Sequence, residues 1–264
     1  LKILLKHGAR VDSQNNLGMS PKMYAAKNGH LEIVKILLKK GAKVDLISRN
    51  GSNSLIWATR SGHEDIAELL IEAGAKTDFL ESEFQRSPLL LAAMYGRETT
   101  VIKLLSSGAN LEVVDKHGVN ALMLSLNNNH IKIANLLINA GISINSPDKK
   151  KRTPLMLAVA QGSIKLTKLL IKQGANVNAT DFNKKTSLMI ASEKGFIKIV
   201  EILLKEQSQI NLRDRYGRSA WTFAADKKHL KLVEFLSKKG VDNQKNLFYA
   251  VSHGLFGVVK ILLK

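Results

Sequence analysis

Cysteine is absent from all 264 residues, so no disulfide stabilises the fold. That excludes a disulfide scaffold and fits reducing and oxidising compartments alike. No apolar run reaches the roughly 18 residues of a membrane-spanning helix, and no secretory signal pattern is present. Nor is there a nucleophile motif, a phosphate-cradling glycine loop or a zinc-type ligand spacing. An enzyme reading therefore has no residues to name, and no cofactor or metal is expected. Acidic residues are the minority charge, 22 against 40 Lys and Arg, for a net charge of +18. Aromatic residues make up only 5%, so rings that fall in exposed turns stand out.

What the chain does have is a period. A Leu-Leu-like pair, two further residues and usually a glycine recur at Gly8, Gly41, Gly74, Gly108, Gly141, Gly174, Gln207 and Gly240, 33 or 34 residues apart. A period of this size marks a solenoid, in which a unit too small to bury its own core stacks on copies of itself. Such arrays usually bind rather than catalyse.

Each period holds two helical patterns and a turn. The first helix opens after Ser20, Asn53, Ser87, Asn120, Thr153, Thr186 or Ser219, whose side-chain oxygens accept an orphan N–H. Pro21, Pro88 and Pro154 then take the first helical position, where a missing N–H costs nothing. A small residue follows at Ala25, Ala58, Ala92, Ser125, Ala158, Ala191, Ala224 and Ala250, which lets neighbouring helices approach. The helix stops at Gly29, Gly62, Gly96, Asn129, Gly162 or Gly195, with Lys228 as the exception. Apolar residues at helical spacing, such as Ile199, Val200, Leu203 and Leu204, mark the second helix. Between repeats lies a polar stretch with Gly18, Gly51, Gly118 and Gly217, read as a projecting turn or hairpin. The balance of these signals predicts a chain about two thirds helical.

The pattern resembles the ankyrin repeat, in segments such as NGHLEIVKILLKKGA from Asn28 and RTPLMLAVAQG from Arg152. The resemblance covers essentially the whole chain. It implies an all-α ankyrin-repeat solenoid of stacked helix-turn-helix units with projecting β-hairpin loops. Residues 1–264 read as one array: a partial repeat 1–14, full repeats starting near 15, 48, 82, 115, 148, 181 and 214, and a shortened repeat at about 241–264. The hairpin is expected to be missing from that last repeat. The opening LKILLKHGA is the second half of a repeat, and residues 255–263 are apolar on more than one face. Soluble arrays need polar caps. Together these features suggest an internal piece of a longer polypeptide.

Several positions depart from the family. The first-helix His is replaced by Met23, Ile56, Leu90, Met123, Met156, Met189, Thr222 and Phe248. Lys22 stands where a buried Leu is expected, and its stem is expected to pack while its ammonium reaches water. Gln207 occupies a left-handed glycine position. With Lys228, it makes the stretch from 205 to 230 the expected weak point. His30, His63, His130 and His229 share one repeat position, too far apart for a single metal, and the family uses that His structurally. The methionines Met123, Met156 and Met189 read as core filling.

Charge is unevenly spread, with net +7 for residues 1–50, −4 for 51–114, +7 for 115–180 and +8 for 181–264. Much of the positive charge falls on the turns. Lys116 and His117 align with Lys149, Lys150, Lys151 and Arg152, then with Phe182, Lys184 and Lys185, then with Arg215, Tyr216 and Arg218. At ordinary helix packing the tips form a row with steps of roughly 8 to 10 Å. In the ankyrin family the hairpin tips and the end of the first helix commonly form a concave partner surface. Carried across, that surface includes Met94, Tyr95, Asn127, Asn128, Gln161, Glu193, Lys194, Asp226 and Lys227. Phe84 and Arg86 extend it toward the N-terminus. Exposed turns are often polar simply for solubility, but four basic tips in register, with Phe182 and Tyr216 among them, favour a binding surface.

Three functions fit. The first is a non-catalytic interaction scaffold gripping an acidic protein segment, with Phe84, Tyr95, Phe182 and Tyr216 as apolar anchors. The second is a contact to RNA or a ribonucleoprotein through the basic row. The third is the repeat arm of a larger enzyme, channel or effector. No membrane insertion is expected, and the resemblance implies an intracellular, cytoplasmic setting.

Overall fold

The computed structural model describes residue 3 and residues 7–263. The seven predicted caps all form: Ser20, Asn53, Ser87, Asn120, Thr153, Thr186 and Ser219 are extended and accept the backbone N–H three residues on. The first helices they open run over Pro21–Lys27, Ser54–Ser61, Pro88–Tyr95, Ala121–Asn127, Pro154–Ala160, Ser187–Lys194 and Ala220–Asp226. Their partners are Leu31–Lys39, Glu64–Glu72, Glu98–Ser106, Ile131–Asn139, Ile164–Lys172, Ile197–Lys205 and Leu230–Ser237. A last pair, Asn243–Ser252 and Phe256–Leu262, follows. Among the described residues there is no strand, only two isolated antiparallel bridges, Val114 with Asn120 and Thr180 with Thr186.

Helices of seven to ten residues are marginal alone, so packing must hold them. The chain divides into two compact units, Leu1–Ser143 and Ile144–Lys264. In the first, Pro21–Lys27 packs on Ser54–Ser61, then Pro88–Tyr95, then Ala121–Asn127. In the second, Pro154–Ala160 packs on Ser187–Lys194, which packs on Ala220–Asp226, which in turn touches Asn243–Ser252. The small-residue position lies at each such contact, and Ala25, Ala58, Ala92, Ala158, Ala191 and Ala224 are all buried. The first helices are buried nearly all round, with Met123, Met156 and Met189 in the core as expected. The second helices bury one stripe, such as Ile199, Val200 and Leu203, as amphipathic helices do.

Two expectations change. Helix accounts for about half of the described residues rather than two thirds, because the stretch between pairs, such as residues 40–53, takes nearly as much chain as the two helices together. Lys22 does not reach water. It is 1% exposed, and its Nζ donates to the carbonyls of Lys43 at 2.7 Å and Val44 at 3.0 Å. Those two carbonyls lie within reach of the folded-back side chain and take the place of solvent. The projecting turns are joined to one another within each unit by backbone hydrogen bonds.

The left-handed positions behave as predicted. Asn129, Gln207 and Lys228 hold φ of 58°, 61° and 56° where other repeats place glycine. After Gly240 the helix Asn243–Ser252 begins almost at once, so the last repeat has no finger. On that helix Phe248 and Val251 are 73% and 61% exposed, whereas their counterparts in earlier repeats, such as Met189 and Ala225, are buried.

Candidate partner-binding surface

The fingers from Glu81 onward are built around an acidic residue at the start of the repeat, where the first two have Asn15 and Ser48. The Asp148 Oδ1 accepts the N–H groups of Lys150 and Arg152, and Asp181 and Asp214 do the same for the second and fourth residues after them. Asp115 repeats the arrangement with His117 and Val119. The two N–H bonds close a tight turn and hold the tip away from the helices. Sequence reasoning marked these aspartates only as repeat starts. Their recurrence at 115, 148, 181 and 214 was the signal for a structural role.

The second carboxylate oxygen takes a cation in three of the four. Arg86 reaches Asp115 at 3.2 Å, Arg152 reaches Asp148 at 2.6 Å, and Arg218 reaches Asp214 at 2.8 Å. In the remaining finger Lys185 pairs with Glu193 instead. Thus Arg86, Arg152, Lys185 and Arg218, all named from sequence as partner-binding, are already engaged in holding the fingers. Burial would raise the Asp214 carboxyl, but N–H bonds from Arg218 and Tyr216 and the Arg218 guanidinium outweigh it and keep it below the usual value.

Successive tips share one backbone bond. In the first unit Arg49 N donates to Leu17 O, Ser82 N to Asn50 O and Lys116 N to Phe84 O. In the second, Phe182 N donates to Lys150 O and Arg215 N to Asn183 O, both at 2.9 Å. These bonds fix the register of the row inside each unit. Glycine serves this approach well: a Cβ on Gly18 would meet Arg49 N at 2.8 Å. Where glycine is missing, Gln85, Lys151 and Lys184 hold the left-handed conformation at φ of 57° to 59°.

The second unit carries the more open surface. Phe182 and Tyr216 are 66% and 67% exposed. The Arg215 guanidinium lies 5.9 Å from the Phe182 ring centre and 5.6 Å from that of Tyr216, which joins two neighbouring fingers. Lys149, Lys150, Lys151 and Lys184 are exposed, and none of them forms an ion pair among the described residues. Lys194 and Lys227 are exposed at the ends of their first helices.

In the first unit the predicted residues are more enclosed. Phe84 is half-buried, with the Arg86 guanidinium 4.5 Å and the Lys116 ammonium 4.2 Å from its ring centre. Lys116 also donates to the Glu83 carbonyl at 2.8 Å. His117 is exposed beside Phe84, and Tyr95 is 38% exposed. The shared His position is structural: the Nε2 atoms of His63, His130 and His229 lie 3.1 to 3.2 Å from the carbonyls of Lys27, Met94 and Glu193 in the preceding repeat. Among the described residues no group of three His, Cys, Asp or Glu side chains is placed to hold a metal, and no helix is long and apolar enough to cross a membrane.

A family model described as ankyrin repeats, in three copies, matches residues 1–80, 74–148, 143–214 and 188–264. No curated protein matches the chain.

Proposed function

The chain belongs to the ankyrin-repeat family, whose members generally mediate protein–protein interaction, and from that premise we propose that it is a non-catalytic scaffold gripping an acidic protein segment. The observation that carries this reading is the finger row of residues 144–264. Phe182 and Tyr216 are exposed on neighbouring fingers with Arg215 between them, and Lys149, Lys150, Lys151 and Lys184 stand beside them without ion-pair partners among the described residues. Such a surface offers carboxylates unpaired ammonium groups and offers an apolar side chain two rings. Charge of one sign along a fixed row also speeds encounter with an oppositely charged partner.

The fingers themselves decide which residues a test should change. Reversing Arg152 or Lys185 would break the finger, since each already holds a carboxylate of its own repeat. The informative variant converts Lys149, Lys150, Lys151 and Lys184 to Glu. Lys168 and Lys198, on second helices, are the control. In affinity capture from nuclease-treated extract, the bound protein should be lost from the finger variant and kept by the control. Capture should also fall as salt rises, because exposed charges are screened beyond about 8 to 10 Å. Unchanged capture by the finger variant, or capture that disappears with nuclease, would sink the reading.

A further inference from the structure

A second recessed site lies in the first unit, on residues outside the finger row just described. Leu17, Met19, Tyr24 and Trp57 wall a cavity of about 190 Å³, and Lys27 and Arg49 stand at its rim. Two fingers and two first helices contribute. Arg49 N to Leu17 O joins the fingers, and the Tyr24 hydroxyl takes a bond from Asn15 Nδ2 at 3.0 Å, which ties helix to finger.

The reason for the cavity can be read along the repeat register. The finger position occupied by Arg86, Arg152, Lys185 and Arg218 in four later repeats, and by Val119 in a fifth, is Ser52 here. In the last full repeat long cations lie over the first-helix side chain: Arg218 and Lys185 both cover Phe223, at 4.5 and 4.4 Å from its ring centre, and Phe223 is 3% exposed. Trp57 stands at the register position of Phe223. Ser52 is too short to cover it, and the indole is half-exposed, with the Lys27 ammonium 4.9 Å and the Arg60 guanidinium 5.8 Å from its ring centre. Tyr24, one repeat earlier and with Met19 at the finger position, is 41% exposed. In the later repeats the corresponding Leu91, Leu124 and Leu157 are buried.

We propose that this cavity is an anchor site for one apolar side chain of an extended acidic peptide, with the ring or branched chain against Trp57 and Tyr24 and the flanking carboxylates on Lys27 and Arg49. The size fits a single side chain, since sites for drug-sized ligands run from about 300 Å³ upward. The charge fits too. Lys27 and Arg49 make no ion pair among the described residues, so the rim is free to complement carboxylates on either side of the anchor. Leu17, 63% exposed at a finger tip, closes over the anchor as an apolar lip. The site stands without the finger row of residues 144–264, and either can fail alone.

The test uses a short acetylated, amidated peptide of Ser, Asp and Glu with one central Phe, and a copy with Ala in its place. Binding is measured to the full chain carrying the four Lys→Glu finger changes, so that capture by the other surface does not count. The Phe peptide is expected to shift the indole N–H resonance of Trp57 and leave that of the buried Trp221 in place. The Ala peptide should bind at least about tenfold more weakly. Ser52→Arg, which places a long cation where four later repeats have one, and Leu17→Asp at the exposed lip should each weaken the Phe peptide by a similar factor. If Ser52→Arg does not fold, Leu17→Asp decides. Equal binding of the two peptides, or unchanged binding by the folded variants, overturns the proposal. So does a Trp57 shift produced by single-stranded oligouridylate when the Phe peptide is inert, which would assign the cavity to nucleic acid.

Discussion

Arg218 and Asp214 form a closed pair within one finger: the arginine Nε and Nη2 both donate to Oδ2, at 3.0 and 2.8 Å, while Oδ1 takes the N–H groups of Tyr216 and Arg218 itself. The carboxylate is buried and the guanidinium is partly exposed. Most of the value of the pair therefore lies in satisfying two N–H groups rather than in the ion pair, which water screens. Asp214→Ala is expected to cost about 2 kcal/mol or more at neutral pH, and Arg218→Ala clearly less. Urea unfolding of the two variants measures the difference, and equal losses would contradict this account. Because the folded carboxyl titrates below its usual 3.8, its contribution is complete above that value and is lost as pH falls through the folded value.

Lys22 gives the opposite pH signature. Burial lowers its pKa from 10.5 to about 8, against the pull of Asp12 and Asp45. Between those values the unfolded chain holds the proton and the folded chain does not, so stability rises with pH across that window. The gain approaches about 3 kcal/mol for a shift of this size. Lys22→Met should lack the rise. Parallel unfolding curves for wild type and Lys22→Met across the alkaline range would show that the ammonium is not confined as described.

Lys151 and Lys184 occupy left-handed backbone at φ of 58° and 59°, where neighbouring fingers use Gly118 and Gly217. That conformation costs a residue with a Cβ about 1 kcal/mol. Replacing both by Gly should raise thermal stability while weakening capture of the acidic partner. A variant gaining stability with full binding would assign these two side chains to the solvated surface alone.

The array is expected to open first at its C-terminal end. Left-handed residues such as Gln207 and Lys228 have counterparts at Gln85, Asn129 and Lys151, but the last repeat lacks a finger and, among the described residues, adds no tip-to-tip hydrogen bond after Arg215. Only Asn246 and Ala250 of the helix Asn243–Ser252 are buried. In a linear array stability is a sum of local terms, so hydrogen exchange beyond about residue 205 should be faster than between 20 and 175. Uniform protection, or earlier opening of the N-terminal repeats, would count against it.

The sequence by itself determined the repeat, its helix pairs and the side chains that begin and end them. Caps such as Ser20, terminal residues such as Gly29 and the small position at Ala58 act over three or four residues, where local hydrogen bonding and backbone sterics dominate. It also exposed the rings of Phe182 and Tyr216, because a finger tip has no neighbour to bury them. What it did not determine is which charges stay free. Arg152 and Lys150 look alike in a basic turn, yet one is spent on the buried Asp148 and the other is not. Lys22 and Trp57 make the same point in reverse. The ammonium is hidden by carbonyls 21 and 22 residues away, and the indole stays half-exposed above a serine where four later repeats place a long cation. Those outcomes depend on contacts between segments that only the packing of one repeat on the next brings together, and so only the tertiary structure decided them.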